Sequence, residues 1–182
     1  IYTAHDNTTL AAKNKNDNDW DRVVTTLVTD MSDLFRSVNN WNKNISSWDT
    51  SNVTDMSYMF YQNNFDQDIG NWDVSNVEDM KYMFHSGVFN QDIGSWDTSS
   101  VTDMSLMFAY NDEFNQDIGS WDTSKVTTMR MMLRDMDEFN QNLNSWDVSN
   151  VTDMTNLFRG SEVFNGNISS WDTSKVTDMT GM

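Results

Sequence analysis

The sequence has no cysteine and no proline, only two histidines, and 11 lysines and arginines against 28 aspartates and glutamates in 182 residues. Each shortage removes a class of protein. Without cysteine there is no disulfide framework, no thiolate metal site and no cysteine nucleophile. His5 and His85 lie far apart in the chain, so neither zinc-ligand spacing nor a catalytic triad has histidines to use. A formal charge of −17 and a pI near 4.1 argue against nucleic acid as a partner, because a phosphate backbone needs a basic stripe. No apolar run approaches the ~18 residues of a membrane-spanning helix, and none reads as a signal peptide. The opening at Ile1 reads as a processed chain or an excised piece.

Apolar side chains are abundant, and they recur. Aromatic residues make up 13% of the chain, too many for a disordered acidic polymer, and there are 14 Met and 8 Trp. The dipeptide Trp-Asp occurs at Trp48, Trp72, Trp96, Trp121, Trp146 and Trp171, at intervals of 24 or 25 residues. Val follows each Trp by five positions, from Val53 to Val176, and Met follows each Val by three, from Met56 to Met179. A second apolar pair such as Met59-Phe60 comes next, and then Phe65, Phe89, Phe114, Phe139 or Phe164. An earlier degenerate copy contains Val28, Met31, Leu34, Phe35, Trp41 and Ile45. Self-similarity at this period marks a tandem array.

The spacing Ile69-x-x-Trp72-x-Val74-x-x-Val77-x-x-Met80 matches the leucine-rich-repeat pattern. That pattern predicts a short parallel strand over Trp72-Asp73-Val74, with Trp72 and Val74 inward and Asp73 outward. Apolar residues at i, i+3 and i+4 in Thr54–Phe60 predict a short helix or 3-10 segment, with Thr and Asp at its N-terminus. One such coil cannot bury its own apolar face, so the copies must stack into a repeat solenoid, with six clear copies spanning roughly 25–30 Å. Residues 1–22 read as an N-terminal cap or linker and 23–182 as tandem coils; the sequence stops in mid-repeat at Met182, which reads as an open end of a longer chain.

Segments such as Phe89-Asn90-Gln91-Asp92-Ile93-Gly94-Ser95-Trp96-Asp97-Thr98, running on to Phe108, resemble the ~25-residue bacterial surface protein repeat. That repeat is also called BspA-like or DUF285, and occurs in mycoplasma and Listeria lipoproteins and some protists. The resemblance covers residues 23 to 182. It implies a leucine-rich-repeat-like solenoid on a secreted or surface-anchored protein, with adhesion or partner binding as its role and no catalytic residues.

Candidate surfaces come as columns. Asp49, Asp73, Asp97, Asp122, Asp147 and Asp172 follow the Trp core ladder and form a candidate exposed binding face. Carboxylates ~5 Å apart repel by ~0.8 kcal/mol even at the dielectric of water, so such a column requires compensation. Ser51, Ser75, Ser99, Ser124, Ser149 and Ser174 stand two residues on and suit local turn bonds. The other source is a cation: no cofactor is expected, but weak Ca²⁺ binding suits these oxygens, although no calcium loop motif accompanies them. A second column, Asp30, Asp55, Asp79, Asp103, Asp153 and Asp178, interrupted by Thr128, reads as helix caps. Asn90, Asn115, Asn140 and Asn165, with Asp66 in one copy, read as a stacked amide ladder. Sequons at Asn7, Asn44, Asn52, Asn150 and Asn167 are N-glycosylation candidates, several of them at equivalent repeat positions.

The functions in view are a non-enzymatic extracellular scaffold that binds a protein or glycan, or a fibre segment stacked on other copies of itself. Ice binding is a lesser alternative, because Thr50, Thr98, Thr123 and Thr173 alternate with Val74 and Val148 at an inward position. A repeating array offers no unique cleft to set two carboxylate pKa values apart, so no enzyme is expected. Variation between copies is concentrated in residues 61–64, 85–87, 109–112, 134–137 and 159–162, where partner specificity would lie.

Overall fold

The computed structural model describes residues 2–182. The chain starts with strand β1 (Thr3–Ala4) and helix α1 (Asn7–Ala12), then a 3-10 turn (Trp20–Arg22) and strand β2 (Val23–Val24). Asp6 starts α1 with a reciprocal cap: its Oδ1 accepts the Thr9 N–H at 2.9 Å, and Thr9 Oγ1 accepts the Asp6 N–H at 2.9 Å. β1 pairs in parallel with β2, Thr3 opposite Val23, so the first rung of the stack already lies within residues 1–22. Leu10 and Trp20 are each 1% exposed and close this end of the core. Lys15 lies over the Trp20 and Phe35 rings, and burial, with the Lys13 charge second, pushes its amine down to about 8.

From residue 28 the chain is a repeat protein built as a stack of coils. Isolated parallel bridges run Asp30–Asp55–Asp79–Asp103–Thr128–Asp153–Asp178, one residue per coil. The strand expected at Trp-Asp-Val is therefore not there: a single rung forms instead at the second Asp column. Trp72 and Val74 do face inward, at 4% and 1% exposure. Their stretch bonds as turns, however, with the Trp72 N–H on Ile69 O and the Val77 N–H on Val74 O. Coil-to-coil bonding there comes from side chains: Thr50, Thr98 and Thr123 donate Oγ1 to Asp73, Asp122 and Asp147 O of the next coil at 2.9–3.0 Å.

The helix expected at Thr54–Phe60 is also absent. The N–H groups of Met56, Tyr58, Phe60 and Gln62 leave the coil for Asp79, Lys81, Met83 and His85 O, at 2.8–3.0 Å. Met59 and Tyr61 bond back three residues, to Met56 and Tyr58 O. Tyr58 and Gln62 hold φ of 58° and 51°, which no α-helix contains. An isolated single helical turn is a costly nucleus for few bonds. A ribbon stacked on its neighbour satisfies the same groups cooperatively, coil after coil.

Inside, each side chain meets its copy. Trp48–Trp72, Trp96–Trp121 and Trp146–Trp171 stack with centroids 6.2–6.3 Å apart. Phe65, Phe89, Phe114, Phe139 and Phe164 follow at 6.1–6.4 Å. Met56, Met80, Met104, Met129 and Met154 are fully buried in the same core, as an unbranched gap-filling side chain can be. The indoles also stitch coils together. Trp48, Trp72, Trp96, Trp121, Trp146 and Trp171 donate Nε1–H to carbonyls of the preceding coil at 2.8–3.3 Å. Packing and hydrogen bonding thus use one residue, which accounts for Trp rather than Phe in this column.

Candidate functional site

With the interior filled, chemistry is left to the surface columns. Every aspartate of the candidate ladder, Asp49 to Asp172, is exposed. Each Oδ1 accepts the N–H of the serine two residues on at 2.9–3.1 Å. The Ser51 and Ser75 hydroxyls add 2.6 Å bonds to Asp49 and Asp73. The serine hydroxyl and then its N–H hold Asp49, Asp97, Asp122 and Asp147 below the usual carboxylate range; at Asp172 the N–H of Ser174 leads. These bonds compensate the column locally. Among the described residues no three His, Asp or Glu side chains gather where they could hold a metal ion.

The second column makes the same turn without a helix behind it. Oδ1 of Asp30, Asp55, Asp79, Asp103, Asp153 and Asp178 accepts the N–H two residues on at 2.8–2.9 Å, and Thr128 Oγ1 accepts from Arg130 at 3.4 Å. The cap read from sequence is thus a turn closure, because the bond geometry of an Asx turn and a helix N-cap is shared.

The amide ladder forms on its acceptor side. Asn42 Oδ1 accepts the Asp66 N–H, Asp66 Oδ1 the Asn90 N–H, and so on through Asn115, Asn140 and Asn165, at 2.7–3.1 Å. Gln91, Gln116 and Gln141 point Nε2 at the same oxygens. Only the oxygen is used, so Asp66 serves where other coils have Asn.

The sequon asparagines are divided by their bonds. Asn7 pairs with Thr29 through both Oδ1 and Nδ2. Asn52 and Asn150 donate Nδ2 to Thr26 O and Ser124 O of the preceding coil. Asn44 and Asn167 use only Oδ1, on Ser46 and Ser169. The inward threonines Thr50, Thr98 and Thr123 are 0–1% exposed and carry no surface role. A separate exposed row, Thr102, Thr127, Thr152 and Thr177, escaped the sequence reading; its hydroxyls bond the preceding coil's carbonyls at 3.0–3.2 Å, and Glu78 breaks the row.

The turn columns hold a second surface missed from sequence. Tyr58 stacks on Tyr82 at 4.5 Å and Tyr61 on His85 at 4.9 Å, with Tyr110 edge-on to His85 at 5.4 Å. Arg36 covers Tyr58 and Tyr61 at 4.6 and 5.0 Å, and Arg134 covers Tyr110 at 5.2 Å. The signal was available, since these residues lie in or beside the stretches where the copies differ. His85 is 8% exposed with Nδ1 on Ser86 Oγ at 2.8 Å, and burial pushes its imidazole below the usual value.

Two cavities, of about 400 and 320 Å³, lie at the N-terminal end: the larger is lined by residues between Thr3 and Val23, and the smaller by Asn18, Trp20 and Asp21 with Lys43 and the sequon residue Asn44 of the first coil. In the larger, Lys13 is paired with both Asp17 and Asp19, at 3.0 and 2.5 Å. The same lining holds Thr3, His5 and Thr9, and the His5 Nδ1 is buried without a hydrogen-bond partner. Among the described residues no helix is long and apolar enough to cross a membrane.

Compared with known proteins, the chain matches the family described as "Mycoplasma protein of unknown function, DUF285" over residues 3–94 and again over 85–182. No curated protein and no solved structure matches it.

Proposed function

Because the chain belongs to the DUF285 family of repeat proteins, we propose that it is a leucine-rich-repeat-like solenoid acting outside the cell, secreted or on a cell surface. Its role is that of a non-enzymatic scaffold that binds a protein or glycan partner. One observation carries this reading: from Val28 to Leu157 the core positions of every coil are occupied by recurring side chains at under 10% exposure. The two cavities of about 400 and 320 Å³ lie instead at the N-terminal end. A stack filled in this way supports surface recognition and gives chemistry no cleft. The exposed Asp ladder is the repeated face such a scaffold offers, with calcium a weak ligand at most.

Fluorescently labelled chain applied to cells, with and without EDTA, tests the reading. Saturable binding that unlabelled chain competes away supports a scaffold; loss of that binding in EDTA assigns calcium to it. Labelled chain that binds no cell type and no glycan array sinks it.

A fibre segment is the second reading, favoured by the near-identity of the copies, in which Trp, Val and Met recur at fixed positions from Trp48 to Met179. Light scattering that grows with concentration, with filaments in electron micrographs, would favour assembly over recognition.

A further inference from the structure

The coils from Tyr58 to Gly160 each place two residues at positive φ, and they fill those places differently. Apart from Met131, later coils use Asp135, Asn156, Gly160 and Gly181, residue types suited to that backbone. The middle coils instead put Tyr58, Tyr82 and Tyr110 there, at φ of 58°, 58° and 60°. The backbone bonds are the same in both cases: Tyr58 N–H reaches Lys81 O at 2.9 Å, and Asn156 N–H reaches Thr180 O at 2.8 Å. The ladder therefore does not ask for tyrosine, and the rings are held at a conformational cost. Four of the five tyrosines in the chain belong to this one row.

We infer that the aromatic row from Arg36 to Arg134 docks an extended, basic polypeptide segment of a partner protein. The inference rests on the scaffold reading and names the surface and partner class for it. Ring faces are taken by one another and by the two guanidinium groups, so a sugar finds little free face to stack on. What faces outward is ring edges and phenol hydroxyls. Among the described residues no hydrogen bond engages the hydroxyl of Tyr58, Tyr61, Tyr82 or Tyr110. Extended backbone leaves its carbonyls unpaired, which is what such donors recognise. At its Tyr110 end the row meets Asp112, Glu113 and Asp137, beside Asp135, which Arg134 pairs at 2.7 Å; burial and then these carboxylates raise the Asp112 pKa. That crowding, on a chain of net charge −17, complements lysine and arginine. The row crosses five coils, roughly 20 Å, enough for about six extended residues. Tyrosine and arginine are also the side chains that dominate binding hot spots.

The test is fluorescence anisotropy of the full chain with labelled peptides of alternating Lys and Pro, Ser and Pro, or Glu and Pro, in physiological salt. The Lys–Pro peptide is expected to bind best. The triple variant Tyr58→Gly/Tyr82→Gly/Tyr110→Gly leaves the net charge unchanged and should weaken it at least tenfold. The ladder variant Asp49→Asn/Asp97→Asn/Asp147→Asn removes three charges and should weaken it by less than about threefold. Tyr110→Gly alone should lose severalfold, and gives the reading if the triple variant unfolds. No peptide binding, equal affinity in the tyrosine variants, or equal loss in the ladder variant overturns the proposal. So does tyrosine-dependent binding to a glycan array. Tyrosine variants that bind cells as well as the parent chain also overturn this surface, yet leave the scaffold reading standing.

Discussion

Replacing Trp96 by Phe separates the two jobs of the indole column. Trp96 is 4% exposed, stacks on Trp121 at 6.3 Å, and donates Nε1–H to Ile69 O at 3.2 Å across the coil boundary. Phe keeps a ring in the ladder and deletes the donor. Ile69 is 0% exposed and its carbonyl keeps the Trp72 N–H at 3.0 Å, so the loss is one buried hydrogen bond, about 0.5–1.5 kcal/mol. The smaller ring adds ~1 kcal/mol of lost burial. Together these give ~1.5–2.5 kcal/mol, or roughly 3–10 °C in Tm for a chain of this size. Trp20→Phe is the control, because Trp20 is 1% exposed and its Nε1 has no acceptor. It loses ring area and no bond, and should cost ~1 kcal/mol or less. Urea and thermal unfolding followed by circular dichroism measure both. Equal destabilisation, within ~0.5 kcal/mol, would refute the claim that indole N–H groups stitch the coils.

Gln62→Gly should stabilise the chain by ~1 kcal/mol, because Gln62 is exposed at φ 51°. Gly160→Ala should destabilise it, since φ is 79° and the new Cβ would collide with the Asp135 carboxylate; denaturant titration reads both. His85 has a folded pKa below its unfolded value of about 6.5, with burial as the leading cause. The unfolded chain therefore takes up the proton first, and the stability present above pH ~6.5 is lost as pH falls through the folded pKa. His85→Phe should remove that slope from Tm measured between pH 7.5 and 5. Asn115→Asp should be tolerated, as Asp66 shows the column uses only its oxygen. Asn115→Leu should cost ~1 kcal/mol by stripping the Asn140 N–H of its acceptor, while Gln141 Nε2 keeps the Asn115 carbonyl.

The register of the coils and the side of each column were legible in the sequence because both are set by the repeat period and the inward-outward alternation. Trp72, Val74 and Thr98 sit on the side their spacing indicates. The hydrogen bonding was not legible. Apolar spacing at i, i+3 and i+4 fits a helical turn, and Met56, Met59 and Phe60 place it equally well in a ribbon whose N–H groups leave the coil. Likewise, the carbonyl that Trp96 meets belongs to Ile69, 27 residues away, and no local pattern encodes that partner. The Asp ladder was found, and its compensation by Ser51 and its copies was one of two alternatives. The tyrosine row was hidden because its members occupy three different turn columns. Tyr58 and Tyr82 share one position in the coil, and Tyr61 and Tyr110 stand at others.

The central claim is that side chains and backbone join the coils into one continuous stack, leaving function to its surface. Hydrogen exchange of the indole N–H groups by NMR tests it most directly. The account predicts slow exchange for Trp48, Trp72, Trp96, Trp121 and Trp146, and faster exchange at half-buried Trp171 on the end coil. Indoles that all exchange at the rate of an unfolded chain would contradict it.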